Sequence, residues 1–125
     1  MKKQKILIEE YDKIVSMDIE SALTEWGYAV PNQKDKKTDI IRMVKQKKPD
    51  LVIMATGFRD NYENINTAKR ISRQFNIGVI LLIDWITEDI GESMNRLKQI
   101  YYMKKPFDSH ELRNLIQKIL IHRQN

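Results

Sequence analysis

Two short segments of this chain consist entirely of apolar residues, and they constrain its fold more than any other feature. The segments are 51–54 (Leu-Val-Ile-Met) and 79–83 (Val-Ile-Leu-Leu-Ile). A strand without polar alternation is typical of the centre of a parallel sheet, where helices cover both faces. Stretches with helical spacing of apolar residues lie before, between and after these segments. The sequence therefore predicts an α/β domain with a doubly wound parallel sheet.

Five strands alternating with five helices account for the whole chain, 1–125, as one domain without a linker or repeat. Asp12 is a predicted N-cap for the first helix, Gly27 ends it, and Ile14 is counted on its apolar face with Val15, Ile19 and Leu23. The last helix begins at a capping box of Asp108 and Glu111. The predicted strands are 5–9, 28–30, 51–54, 79–83 and 100–103, and the helices are 12–26, 38–46, 62–74, 87–97 and the segment after 108.

The composition excludes several classes of protein. Hydrophobic residues make up 42% and charged residues 31% of the chain, which fits a folded domain and not a disordered one. The absence of cysteine excludes disulfides and thiolate metal sites. No apolar run approaches the roughly 20 residues of a membrane span, and 6–8 is too short for a signal peptide, so we expect a cytoplasmic protein.

The net charge of +5 leaves two interpretations open. Scattered lysines are typical of solvated surfaces, and we favour that interpretation. The alternative is binding of a polyanion or nucleic acid through the basic segments 34–37 and 45–48, although no arginine–aromatic alternation that would stack bases is visible. His110 and His122 are predicted surface residues, because nothing in the sequence supports metal binding or catalysis by them.

Sites in open parallel sheets lie beyond the carboxyl ends of the strands, so the residues at those ends are the ones to examine. An acidic pair, Glu9 and Glu10, follows the first apolar run, and Ala55 follows the third predicted strand. Ile83 ends the fourth, and Lys105 precedes Pro106 after the fifth. Lys105 is thus predicted to lie near the end of the third strand, where Ala55 offers no carboxylate.

These segments resemble the receiver domains of two-component response regulators. The resemblance spans essentially the whole chain and rests on four stretches. They are 5–8 before an acidic pair, 49–54 (Pro-Asp-Leu-Val-Ile-Met), 77–82 (Ile-Gly-Val-Ile-Leu-Leu), and Lys-Pro-Phe-Asp at 105–108 with Glu-Leu at 111–112. The resemblance implies a flavodoxin-like (CheY-like) fold with five parallel strands in the order 2-1-3-4-5, five helices, and a cis peptide bond before Pro106.

In receivers, a kinase phosphorylates an aspartate after the third strand, assisted by a divalent cation, a hydroxyl residue and a lysine. The two cation-binding acids of the family fall on Glu10 and Tyr11, and a neutral phenol is a poor ligand for a hard cation. The phosphorylated position falls on Ala55 and the hydroxyl on Ile83, whereas the lysine is retained as Lys105. The resemblance therefore implies a degenerate phosphoacceptor pocket, made by Glu10, Tyr11, Ala55, Ile83 and Lys105, without metal, cofactor or enzymatic activity.

Two fates of the lysine are open. Lys105 forms an ion pair with Glu10 or Asp12, or it points to solvent or joins Lys104 in a small anion site. The aromatic position that switches rotamer in the family falls on Tyr102.

The resemblance further implies a phosphorylation-independent protein–protein interaction module in signal transduction. Its expected partner is a signalling protein such as a histidine kinase or an output domain, and homodimerisation is left open. Receivers communicate through the fourth helix, the fifth strand and the fifth helix. That face would here include Arg96, Gln99, Tyr101, Lys104, His110, Arg113 and Gln117. A flavodoxin-like enzyme is disfavoured, since no phosphate-binding loop follows the first strand.

Overall fold

The protein folds as a parallel sheet covered by helices on both faces, as a computed structural model shows. The structure describes residues 2–10, 12–31, 39–56, 61–83, 92 and 97–124. The strands are β1 (Ile6–Glu9), β2 (Leu51–Thr56), β3 (Gly78–Ile83) and β4 (Ile100–Lys104), in the order β1-β2-β3-β4. The helices are α1 (Lys13–Glu25), α2 (Ile40–Lys47), α3 (Asn61–Phe75) and α4 (Ser109–Gln124).

The predicted strand at 28–30 is wrong as a full strand. Ala29 forms only an isolated parallel bridge with Lys5, through hydrogen bonds from Ile6 N to Ala29 O and from Ala29 N to Gln4 O, each 2.9 Å long. Pro31 follows two residues later and lacks the N–H that would continue the ladder. The bridge nevertheless lies on the free side of β1, as the order 2-1-3-4-5 requires.

The described part of the chain therefore contains four strands and four helices instead of five of each. The predicted helix 87–97 lies almost entirely outside the described residues, apart from Glu92, and Leu97 is not helical. The other predicted elements are confirmed, and their ends agree with the prediction to within two residues. None of the four helices is both long enough and apolar enough to cross a membrane, as far as the described residues extend.

Helix α1 is delimited by local chemistry at both ends. Asp12 Oδ1 accepts hydrogen bonds from Ile14 N (2.9 Å) and Val15 N (3.2 Å), which satisfies two free amides at the start of the helix. At the other end Gly27 has φ of +96°, Gly27 N donates to Thr24 O and Tyr28 N donates to Leu23 O. This is a Schellman motif, and glycine adopts its left-handed residue without steric cost.

Two apolar clusters fill the space between the sheet and its helices. Helices α2 and α3 pack on one face of the sheet, through Val44, Ile65, Ala68 and Ile71 among others. Helices α1 and α4 pack on the opposite face, through residues such as Ile19, Leu23, Leu112 and Ile116. Because strands β2 and β3 are buried on both faces, their continuous apolar sequence is accounted for.

Candidate functional site

The carboxyl ends of the four parallel strands gather at one edge of the sheet, and this edge holds the candidate site. The register places Glu9 beside Met54, Ala55 beside Leu82, and Thr56 beside Ile83, which in turn lies beside Lys104. Lys105 follows directly, and its backbone N donates to Ile83 O at 2.8 Å. The chain just after β4 is thus attached to the end of β3. The Lys105–Pro106 peptide bond is cis, as the resemblance implied.

An ion pair closes this edge. Lys105 Nζ lies 2.8 Å from Glu10 Oε2, and the two side chains are 18% and 5% exposed. The other oxygen, Glu10 Oε1, accepts from the backbone N of Asp12 at 3.1 Å. The nearly buried carboxylate therefore has a partner on each oxygen, as a buried charge requires.

Of the two carboxylates that the sequence offered to Lys105, the structure selects Glu10. Asp12 is exposed, and its Oδ1 already caps α1 through the amides of Ile14 and Val15. The expectation of a direct ion pair is confirmed, and the lysine neither points to solvent nor joins Lys104.

Ala55 and Ile83 lie at the predicted edge, but their side chains point to opposite faces of the sheet. Ala55 is 2% exposed and belongs to the cluster covered by α1 and α4. Ile83 is fully buried in the cluster covered by α2 and α3. The side chains at the two positions are therefore a methyl group and an aliphatic chain, and neither side chain can donate or accept a hydrogen bond.

Tyr11 lies outside the described residues. The donor set at this edge does not fit the divalent cation of receiver domains, since Glu10 is engaged by Lys105 and Asp12 by the helix cap. Within the described ranges no three histidine, aspartate or glutamate residues come together as metal ligands.

Glu9, the first member of the acidic pair at the end of β1, is the described residue at this edge whose carboxyl pKa departs from its ordinary value. Burial raises the pKa of its carboxyl, and the charge of Asp39 raises it further. Glu9 is only half-buried and points to the face opposite Ile8, because neighbouring residues of a strand alternate. The sequence places Glu9 at the end of a strand, but it does not show that Asp39, the N-cap of α2, lies close enough to act on it.

The predicted interaction face is only partly described. Tyr102 is 38% exposed on β4, whereas Tyr101 packs partly against the α1–α4 cluster. Arg113 lies over the ring of Trp26, 5.6 Å from its centroid, which the sequence did not reveal. Arg96 lies outside the described residues. The exposed members of the face are Gln99, Lys104, His110, Arg113 and Gln117.

Comparison with known proteins shows similarity in sequence and in structure. No family model matches the chain. The transcriptional regulatory protein PdtaR of Mycobacterium tuberculosis is 25% identical over 109 residues, which cover 87% of this chain and 53% of that protein. The chain thus spans about half the length of the curated relatives it matches.

Solved structures agree more closely in shape than in sequence. The signal receiver domain of an HD domain-containing protein from Pseudomonas fluorescens superposes with a TM-score of 0.80 at 21% identity, covering 98% of both chains. A CheY-like response regulator receiver domain protein from Methanospirillum hungatei gives 0.79 at 15% identity, again covering 98% of both. A response regulator from Thermotoga maritima gives 0.77 at 21% identity and covers 94% of this chain and 98% of its own. The chain therefore has the CheY-like fold of response regulator receiver domains.

Proposed function

We propose that this chain is a receiver-like signalling module that acts through protein–protein contacts and does not accept a phosphoryl group at its sheet edge. The observation that carries the proposal is the closed pair of Lys105 and Glu10 beside a methyl side chain at position 55. The cation that would balance a phosphoryl group is already neutralised, and the acceptor position has no nucleophile.

The chemistry of phosphoryl acceptance supports this proposal. Formation of an acyl phosphate needs a carboxylate as nucleophile and positive charges that neutralise the transferred group. Ala55 is buried and has no atom that can attack phosphorus. Ile83 offers no hydroxyl to hold the transferred oxygens. An alternative carboxylate, Glu10, is occupied on both oxygens and would have to give up Lys105.

The expected partner is a signalling protein, such as a histidine kinase or an output domain, that binds the face of β4 and α4. Lys104, His110 and Gln117 are exposed there, and Arg113 lies over Trp26. Arginine held by an aromatic ring loses less side-chain freedom on binding, which suits it for an interface. Without an acyl phosphate, such a face holds one conformation or responds to the partner itself.

Intact-protein mass spectrometry after incubation with acetyl phosphate and Mg²⁺ tests the missing chemistry. The wild-type chain should gain no phosphoryl group, and Ala55→Asp alone should gain none either, because Tyr11 and Ile83 remain. The matched comparison is the triple variant Tyr11→Asp/Ala55→Asp/Ile83→Thr, which restores all three family positions. A stable phosphoryl adduct on the wild type, or efficient labelling of the single variant, would contradict the proposal.

Co-purification from the native host tests the interaction face. A partner that binds there is lost with Lys104→Ala/Arg113→Ala and retained with the charge-matched control Arg42→Ala/Lys45→Ala on α2. Both pairs remove two exposed cations. Equal loss with both variants would mean that net charge, and not the β4–α4 face, determines binding.

A further inference from the structure

Among the four described helices, positive charge is concentrated on the two that cover one face of the sheet. Helices α2 and α3 together carry six cations and one acid, Glu63, which gives them a net charge of +5. Helices α1 and α4 carry four cations and four acids, which gives no net charge with neutral histidines. Because the core clusters assign each pair of helices to its own sheet face, the described helices on one face are strongly basic and those on the other carry no net charge.

The basic face centres on one side of α3. Lys69, Arg70 and Arg73 recur at helical spacing with Asn66 and Gln74, and these five side chains line a shallow depression. Next to it, a groove of about 410 Å³ runs between α3 and the turn into β4, and Lys98 lines its far side. Ser72 Oγ donates to Lys98 O at 3.3 Å, which attaches that turn to the helix.

These cations have no carboxylate partner in the described part of the chain. The two ion pairs found there are Lys105–Glu10 and Arg123–Asp50, and both lie elsewhere. Arg70, Arg73 and Lys98 are exposed, and Lys69 is half-buried. On α2, the exposed Arg42 and Lys45 extend the same surface. Like charges that outnumber the acids around them repel one another, and a bound polyanion relieves that repulsion.

The described side chains of this surface include no large exposed apolar residue, and this indicates the kind of polyanion. Interfaces with proteins depend on buried aromatic and aliphatic anchors. The large exposed hydrophobic residues of the described chain lie on α1, β4 and α4 instead; they are Ile14, Met17, Tyr102 and Ile121. None of the described residues that line the two depressions is aromatic, so they offer no platform for stacking unpaired bases. Arginine, lysine, asparagine and glutamine are the donors that contact phosphates of duplexes.

We propose that the α2–α3 face binds the phosphate backbone of a double-stranded nucleic acid, without base readout. Binding rests on Lys69, Arg70, Arg73 and Lys98, with the α2 cations at the edge. It does not depend on the Lys105–Glu10 edge, so it is independent of the function proposed above.

Four neutralised phosphates give log Kd against log salt a slope of about 3.6. Affinity should thus fall about 10²-fold between about 50 and about 200 mM salt, from a Kd of about 10⁻⁶ to 10⁻⁴ M.

Fluorescence anisotropy with a labelled DNA duplex and an RNA duplex of equal length, using the full chain, tests the proposal. In the variant Arg70→Gln/Arg73→Gln the salt slope should fall by about 2. The matched control is Lys13→Gln/Lys118→Gln, which removes the same charge from exposed positions on α1 and α4. The control should keep the wild-type slope, and circular dichroism should show both variants folded.

Three results would overturn the proposal. The first is no binding of either duplex at about 50 mM salt. The second is an equal loss of slope in the control, which would mean that net charge alone attracts the duplex. The third is tighter binding of poly-glutamate with the same number of charges, which would assign the face to an acidic protein. A loss of salt slope in Arg70→Gln/Arg73→Gln that the control does not show, with either duplex, supports the proposal. The duplex that the wild-type chain binds more tightly indicates whether DNA or RNA is the ligand.

Discussion

The ion pair between Lys105 and Glu10 should contribute measurably to stability, and its contribution can be worked out from its surroundings. Removing one partner of a buried pair costs about 3–5 kcal/mol, because the other charge is left without compensation. Here Glu10 keeps the Asp12 amide, and Lys105 is 18% exposed, so its site is partly hydrated. We therefore expect Lys105→Met to lower the free energy of unfolding by about 2–3 kcal/mol.

Removal of the charge on the other partner, Glu10, should lower the free energy of unfolding by less. In Glu10→Gln the amide oxygen can still accept from Asp12 N, and the partly exposed Lys105 ammonium can turn towards water. An expected loss of about 1–2 kcal/mol follows. The double variant should then show a coupling energy of about 1–2 kcal/mol between the two side chains.

Urea denaturation at neutral pH measures all three variants, with an unchanged m-value as the check that the unfolded states are comparable. The exposed pair of Arg123 and Asp50 is the matched control. Its atoms are 3.4 Å apart, its side chains are 35% and 32% exposed, and its coupling should not exceed about 0.5 kcal/mol. Added salt should weaken the control more than the buried pair. A Lys105–Glu10 coupling no larger than that of the control would refute the reasoning.

Two further substitutions test other parts of the structure. Glu9→Gln should raise the melting temperature at neutral pH, because the pKa of the Glu9 carboxyl is raised in the folded state and its ionisation therefore opposes folding. The gain should vanish below pH 4.5, where the carboxyl is protonated in the folded and the unfolded chain. A gain that does not depend on pH would contradict this explanation. Gly78→Ala should destabilise by about 1–3 kcal/mol, because the added Cβ would lie 2.9 Å from Ile119 Cγ2 and 3.3 Å from Leu51 Cδ1. Combining it with Ile119→Leu, which removes the β-branched methyl, should recover part of the loss in urea denaturation, and no recovery would count against this contact.

Sequence patterns predicted the fold well where the determinants are local or periodic. The Asp12 cap, the Gly27 terminus and the two apolar strands need only neighbouring residues, and the structure confirms them. Ile14 was wrongly counted on the apolar face of α1, since it is 73% exposed. Ile19 and Leu23 define the buried stripe at a spacing of four, and Ile14 lies more than a quarter turn away from it.

For the candidate site, the sequence predicted which strand ends come together but not which side chains pair there. Parallel strands bring their carboxyl ends together, and this alone placed Lys105 beside the acids after β1. Whether Lys105 pairs with Glu10 or with Asp12 depends on which of the two carboxylates caps α1. The two acids are only two residues apart, so their positions in the sequence do not decide this. The concentration of cations on α2 and α3 was not predicted either, because the sequence alone does not show which helices share a sheet face.

A carboxylate introduced at position 55 should destabilise this protein, and that expectation tests the proposal that its sheet edge does not accept a phosphoryl group. Ala55 is 2% exposed, and Ala55→Asp would place a second acid at an edge whose one paired cation, Lys105, already serves Glu10. Burial of a poorly compensated carboxylate should lower the free energy of unfolding by about 2–4 kcal/mol. Ala55→Asn has nearly the same volume without the charge and should cost less. In a site able to hold a divalent cation, Mg²⁺ would offset the repulsion and raise the melting temperature of Ala55→Asp by mass action. We expect no such rise, because the proposed correspondence with receivers puts Tyr11, a poor ligand for a hard cation, at the position of their second acid. A Mg²⁺-dependent rise in Ala55→Asp that is absent in Ala55→Asn would show that this one substitution is enough to make a metal site.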